Sequence, residues 1–478
     1  MTRPSQASSF CPGILLALLL SVAGTQVCRS QGKTTFQDHV FPLIETHCAK
    51  CHNSDKKKGD LDLSSQAGVL KGGASGAAVV SGNPDSSKLW KVVTHAEEPL
   101  MPPNKPRLSD KDLAVFKKWI ADGLLETSGS KAVAATQPAV DLTLEVTDEG
   151  KPAGEPAMPK GLSTDPVFEA PQAGPVLSIS SSPWAPIIAI AGQKQVLLYH
   201  SESLDRLGVL PYTNGQIHAI GFSRSGKLVF ASGGIGGKSG RTAIWDVASG
   251  KAVGVVGAEF DSILASDISP DQSQLALGGP GRVLKLHSLS TGEAEHKIKK
   301  HTDWLSSIAY SPNGKMLATA DRNGSIHVWD PENAQELFAL AGHNSTVRAL
   351  AWRRDSKILA SCSEDGTLKT WELESGKQVK SWVAHEGGAT GLAFSRDGLI
   401  ASCGRNGKVR TWDIDGGKKV SMQVTDEFPL CVTFTHDGQR LAASTFSGKV
   451  LVWSARDGKV VGQLDAYPTR QKKSLAAR

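Results

Sequence analysis

Long hydrophobic runs are missing from this sequence beyond its first thirty residues, which excludes a membrane-spanning helix there. The one apolar stretch, Ile14 to Val22 behind Arg3, is too short to cross a bilayer but has the length of a signal-peptide core. Residues 1–30 are therefore set apart as a cleavable signal, with small residues at Val22-Ala23-Gly24 and a second boundary at Ser30, and the mature protein is expected to be periplasmic or secreted. Cysteine is scarce, seven in 478 residues, so a disulfide-stapled scaffold is not expected. Cys11 lies inside the signal, Cys28 at its edge, and Cys48 and Cys51 form a pair with another use. Cys362, Cys403 and Cys431 fall in or beside expected strands, where a free thiol behaves as a small hydrophobe. An excess of one charge is also lacking. The 53 basic against 47 acidic residues leave +6 with no basic run or basic amphipathic helix, so nothing indicates a nucleic-acid or membrane surface. Four tyrosines stand against 49 glycines, a balance that favours many tight turns, and the chain is long enough for two separate cores.

The most specific motif present is Cys48-Ala49-Lys50-Cys51-His52. Its spacing lets two thiols attack the vinyl groups of a haem while the following imidazole reaches the iron, so one covalent haem c per chain is expected, with Cys48 and Cys51 as thioethers and His52 as proximal ligand. A thioredoxin-like dithiol would need a preceding strand, whereas Phe36, Val40 and Ile44 recur at helical spacing. Zinc would need further ligands, and the adjacent His47 cannot readily close a tetrahedron with the other three. Methionine is rare enough to narrow the sixth ligand. Met158 lies in a linker and Met316 and Met422 in repeats, leaving Met101, held between Leu100 and Pro102-Pro103. His95 is the rival and would give a bis-histidine site of lower potential. Ser109 with Asp112 reads as a helix cap before an apolar stripe of Leu113, Phe116, Trp119 and Ile120 that ends near Gly123, and Trp119 is assigned to the core. Lys56, Lys57 and Lys58 form either a solvated loop or a basic rim that steers an acidic redox partner.

Residues 36–125 resemble the planctomycete-type cytochrome c domain. The resemblance rests on the haem motif, Lys58-Gly59-Asp60-Leu61-Asp62-Leu63, Leu70-Lys71-Gly72-Gly73-Ala74-Ser75-Gly76, Gly82-Asn83-Pro84-Asp85 and Met101-Pro102-Pro103. It implies Cys48, Cys51 and His52 as haem residues and Met101 as distal ligand, in a small all-α, class I-like fold over residues 31–126. It names no redox partner.

From 127 to 173 the chain turns to Ala, Gly, Pro and Thr and reads as a flexible linker, with a short alternating stretch at Val140–Val146. Over residues 174–466 a recurring position appears at Tyr199, Trp245, His287, Trp329, Trp371, Trp412 and Trp453, at intervals of 41 to 46 residues. Such a period with about four short strands per unit predicts an all-β propeller of seven blades, since one sheet cannot bury both faces until its neighbours stack around an axis. Ser311-Pro312-Asn313-Gly314, Ser395-Arg396-Asp397-Gly398 and Thr435-His436-Asp437-Gly438 supply turn signals. The units from His301 to Asp413 resemble WD repeats, which implies a network inside each blade. One unit matches throughout as His343, Ser361, Asp365 and Trp371. Its neighbours carry Asn323 and Asn406 where aspartate is expected, implying weaker networks. Residues 460–464 read as an outer strand, so closure by a borrowed terminal strand is not evident, and residues 467–478 form a basic tail. Trp304, in a loop, is either a partner contact or a partly packed side chain.

Two classes of function follow. The first is an exported single-electron carrier whose propeller docks it to a protein. The second is a propeller enzyme using the cytochrome as its electron-transfer domain, against which stand seven WD-like units without a catalytic cluster. A haem sensor with a displaceable sixth ligand is a third alternative. The redox partner and the propeller's protein partner are unknown.

Overall fold

The structure, a computed structural model, describes residues 33–73, 78–82, 84, 87–130, 151 and 154–468. The expected signal, the stretch Val140–Val146 and nearly all of the basic tail lie outside the described residues. The chain divides into two compact units between Ala135 and Thr136.

The first unit is helical. Thr35 caps its entry by accepting from the Asp38 amide, and a π-helical turn, Phe36–Val40, runs into α1 (Phe41–His47). The spacing of four puts Phe36, Val40 and Ile44 on one face, and all three are buried. Two short helices follow, α2 (Gln66–Lys71) and α3 (Lys88–Val93), before α4 (Asp110–Ala121). Ser109 caps α4 by accepting from the Asp112 amide at 3.2 Å, while its hydroxyl donates to the Asp112 carboxylate at 2.7 Å. Leu113, Phe116, Trp119 and Ile120 face inward as expected. Trp119 is a core residue, fully enclosed, 5.6 Å from the Phe36 ring and donating Nε1–H to the Leu125 carbonyl. The ends of the unit are tied by Phe36 N–H to Leu125 O at 2.7 Å and Gln37 N–H to Glu126 O at 3.1 Å. One apolar cluster therefore joins the first and last helices, each large buried side chain contributing about 1.5–3 kcal/mol.

The second unit is a ring of seven four-stranded antiparallel sheets, each made of strands consecutive in sequence. Blades 1 to 7 cover residues 179–211, 216–259, 265–298, 305–340, 347–383, 389–423 and 429–465. All seven recurring positions fall on the third strand of their blade. First strands of neighbouring blades contact one another around the ring, blade 1 with blade 7 included, so they line the axis. Second strands such as Ile187–Gly192 and Ile358–Ser363 are buried throughout because both faces meet neighbouring blades, whereas the fourth strand of blade 5, Lys377–Val383, faces solvent.

No strand is exchanged at the closure. The last strand, Val460–Asp465, stays in its own blade, and the gap is sealed by packing of Val176, Ile190 and Leu197 against Ala442, Val450 and Leu464. Tyr199 donates to the Asp465 carbonyl at 2.7 Å and Arg440 to the carbonyls of Ser201 and Glu202 at 2.8 Å. Part of the segment read as a linker lies along blades 1 and 2. Met158 and Leu162 pack on their core, and the Val209 amide donates to the Ser163 carbonyl at 2.9 Å. Among the described residues no helix is long and apolar enough to cross a membrane.

Candidate haem site

Cys48 sits at the C-terminal end of α1, its amide bonded to the Ile44 carbonyl at 2.8 Å. The chain then turns tightly: the amides of Cys51 and His52 both donate to the Cys48 carbonyl at 3.1 Å, bringing the two thiols and the imidazole into one turn. Both cysteines are half-buried and unbonded. Burial pushes the Cys48 thiol up to about 11, so it is a neutral thiol at ordinary pH. The loop that follows is held by Leu63 N–H to His52 O at 3.0 Å and Lys58 N–H to Cys51 O at 3.1 Å, with Leu63 buried. Gly73 packs so closely on this loop that an added Cβ would stand 2.6 Å from the Gly59 carbonyl oxygen, which accounts for a glycine there.

Met101 comes to the same apolar cluster as Cys48, alongside Leu61 and Trp90. Its amide donates to the Val92 carbonyl at 3.1 Å, anchoring the loop to the end of α3. His95, the rival ligand, has its Nε2 3.1 Å from the Met101 carbonyl oxygen, so one ring nitrogen already ties the methionine loop. This second role of His95 is invisible in the sequence because it follows from a left-handed backbone at His95, φ 62°, that folds the segment back on itself. Residues 98–100 and 103–106, flanking Met101, line an open hollow of about 480 Å³.

The donor set fits a covalent haem on one particular observation. The buried Nδ1 of His52 has no hydrogen-bond partner among the described residues, an expensive arrangement for a ring that is only a core side chain. Among the described residues no three His, Cys, Asp or Glu side chains converge as a metal cluster would require. Lys56, Lys57 and Lys58 are exposed beside the motif, Lys57 lying 4.0 Å from Asp62.

In the propeller the polar networks are structural. In blade 5 His343 Nδ1 lies 2.9 Å from Asp365, its Nε2 2.8 Å from the Ser361 hydroxyl, and Trp371 Nε1–H donates to that hydroxyl at 2.9 Å. A carboxylate can only accept, so Nδ1 carries the proton and Nε2 accepts from the serine. Blade 4 corrects the expectation of a weak network at Asn323. Its carboxylate comes from Asp321, two residues earlier, 2.9 Å from His301 Nδ1, while Thr319 replaces the serine. In blade 6 Asn406 Oδ1 lies 3.0 Å from His385 Nδ1, with Ser402 and Trp412 completing the chain. Trp304 is 42% exposed, with the Arg322 guanidinium 4.7 Å from its ring centre, so it is partly covered.

Comparison with known proteins agrees with this division. Residues 48–105 match the family described as Planctomycete cytochrome C, and residues 292–330, 334–372 and 376–413 match the WD domain, G-beta repeat. Among curated proteins, the 66 kDa stress protein of Physarum polycephalum is 40% identical over 65 residues, 13% of this chain and 11% of that protein. Apoptotic protease-activating factor 1 of Rattus norvegicus is 27% identical over 102 residues, 21% of this chain and 8% of the relative. Target of rapamycin complex subunit LST8 of Bos taurus is 22% identical over 161 residues, 32% of this chain and 47% of the relative. The matched stretches thus span less than half the length of each of these relatives. The chain joins a segment matching planctomycete cytochrome C to a seven-bladed WD-repeat propeller.

Proposed function

We propose that this protein is an exported single-electron carrier, a class I-like c-type cytochrome whose WD-repeat propeller serves as its protein-interaction platform. The observation that supports it best is the packing of Cys48 and Met101 against one apolar cluster, with the buried and unpartnered His52 Nδ1 in the same small helical unit. Haem c would be held by Cys48 and Cys51 through thioethers, with His52 and Met101 as the residues that would bind its iron. The bound haem supplies reversible one-electron chemistry, and a thioether ligand favours the reduced iron and raises the potential. The chain's own contribution is placement. The turn after α1 presents the three motif residues together, and the Val92 and His95 contacts pin the Met101 loop. The Phe36, Phe116 and Trp119 core keeps water from the interior, which raises the potential further. The exposed Lys56–Lys58 rim suits an acidic redox partner.

The test is a denaturing-gel haem stain and an optical spectrum of the full-length protein made in a host that matures c-type cytochromes. One covalent haem per chain, absent from Cys48→Ala/Cys51→Ala, and a weak sulfur-to-iron band at the red edge of the oxidised spectrum, absent from Met101→Ala, are expected. A sulfur band that survives in Met101→Ala would remove Met101 as ligand. A chain without covalent haem would leave only the propeller's binding role.

A further inference from the structure

Met101 sits in a loop that burial alone does not hold. Residues 96–100 and 103–107 on either side of it are exposed. Only Met101 and Pro102 turn inward, Met101 to half-burial against the apolar cluster on which Cys48 also packs. The open hollow beside it is walled by residues 98–100 and 103–106 of the loop itself, with no other element among the described residues backing it. Few apolar contacts fix the segment, so its polar ties decide where the methionine sits.

Both backbone polar groups of Met101 are engaged. Its amide donates to the Val92 carbonyl at 3.1 Å, and its carbonyl oxygen lies 3.1 Å from His95 Nε2. A carbonyl only accepts, so Nε2 carries a proton and His95 is the donor. The near half of the loop is rooted without the His95 ring. The Thr94 hydroxyl donates to the Trp90 carbonyl at 2.8 Å, the Ala96 amide to the Lys91 carbonyl at 2.8 Å, and Lys91 pairs with Glu97 at 3.2 Å. His95 therefore joins the rooted half to the half that carries the sulfur. Its backbone is left-handed, φ 62°, a conformation that glycine adopts freely and asparagine readily. Either would serve the turn, but neither offers a donor long enough to reach the Met101 carbonyl.

We propose that His95 is a positioning residue: it holds Met101 in place to bind the iron and so keeps small competing ligands from taking the sulfur's place. In this role His95 acts through Met101 and not on the metal. The proposal rests on the reading of Cys48, Cys51, His52 and Met101 as haem residues. It adds the element that separates a closed electron carrier from a site open to ligand exchange, since outer hydrogen bonds orient the groups that bind a metal.

The experiment compares haem-loaded, full-length wild type with His95→Asn and His95→Gln. Three quantities are read: the red-edge sulfur-to-iron band of the oxidised form, the midpoint potential, and the affinity for added imidazole. Asn suits the left-handed backbone but is too short to reach the carbonyl, whereas the Gln amide nitrogen donates at about the reach of Nε2. His95→Asn is expected to weaken the band, lower the potential and bind imidazole about three- to tenfold more tightly. His95→Gln is expected to restore all three toward wild type. The proposal alone is overturned if wild type shows the band and His95→Asn matches it in band and imidazole affinity, or if His95→Gln recovers nothing over His95→Asn. A wild type without covalent haem or without the band overturns the underlying reading and the proposal with it. So does a spectrum that survives Met101→Ala and is lost in His95→Asn, which would make His95 the ligand. Should His95→Asn fail to fold, His95→Gly, unstrained at that φ, takes its place with the same expectations.

Discussion

Asp267 is a carboxylate placed where most blades use a smaller group. Its side chain accepts from the Tyr310 amide of blade 4 at 2.8 Å and from the Ile268 amide at 2.9 Å. At the matching place blade 1 has Ser180 and blade 4 Ala309, and the comparable inter-blade bonds there are made two residues earlier, where the Ser178 hydroxyl accepts from the Ile220 amide and the Ser307 hydroxyl from the Leu350 amide, both at 3.0 Å. Burial pushes Asp267 up to about 7 despite those two bonds. Because its folded value exceeds the unfolded one of roughly 4, its share of stability is complete below that pH and is lost as pH rises through 7. Asp267→Asn should keep an acceptor for the Tyr310 amide and remove the titration. Its thermal midpoint relative to wild type should rise from pH 5 to pH 8, by the equivalent of about 1–3 kcal/mol, and a parallel offset at all pH values would contradict the argument. His52 and Met101 belong to the same scale: the motif is readable as letters, but the unpartnered Nδ1 and the His95 tie appear only once the backbone has turned.

Within a blade, the histidine network links the loop ahead of the first strand to the second and third strands, so its quality sets how firmly one sheet is stitched. In blade 5 burial pulls the Asp365 carboxyl upward, but hydrogen bonds from Thr367 and His343 outweigh it and bring it down to about 2. Blade 6 has no carboxylate at this place, and burial, reinforced by Arg410 and Lys408, drives His385 down to about 4. A histidine kept neutral in this way stabilises above its unfolded value near 6.5 and loses that contribution as pH falls toward 4. Asn406→Asp should therefore raise the His385 titration, followed by NMR, and stabilise the propeller at pH 5 by about 1 kcal/mol. Asn323→Asp should gain nothing, since Asp321 already fills the role. Equal effects at the two sites would mean that the carboxylate's position in the turn does not matter.

The whole ring depends on how closely its inner strands approach. Gly391, on the first strand of blade 6, leaves room for its neighbours: an added Cβ would stand 2.9 Å from Cys403 Sγ and 3.0 Å from the Cys431 Cα of blade 7. Gly391→Ala should lower stability by about 1–3 kcal/mol, because backbone cannot yield as a side-chain tip does. At the seam, Tyr199→Phe removes the hydroxyl that donates to the Asp465 carbonyl and should cost about 0.5–1.5 kcal/mol, measured by denaturant unfolding. If blades 1 and 7 were joined by an exchanged strand the loss would be smaller still. Unfolding of the full chain should show two transitions, one for each compact unit, with the helical one alone responding to haem loss.

Residue chemistry and periodicity determined much of this protein in advance. The four-residue spacing from Phe36 to Ile44 and the stripe from Leu113 to Ile120 specified buried helical faces, and the 41–46-residue period specified seven sheets, because both report burial that local geometry imposes. The haem motif was legible for the same reason, its residues being neighbours in sequence. Contacts between distant segments were decided only by tertiary structure. The packed seam between blades 1 and 7, the substitution of Asp321 for Asn323, the hold of His95 on the Met101 loop, and the meeting of Trp184 with Arg354 and Arg396 all join residues that no pattern links. A linear sequence encodes which faces must be covered; the closed ring and the folded loop determine which side chains meet when they are.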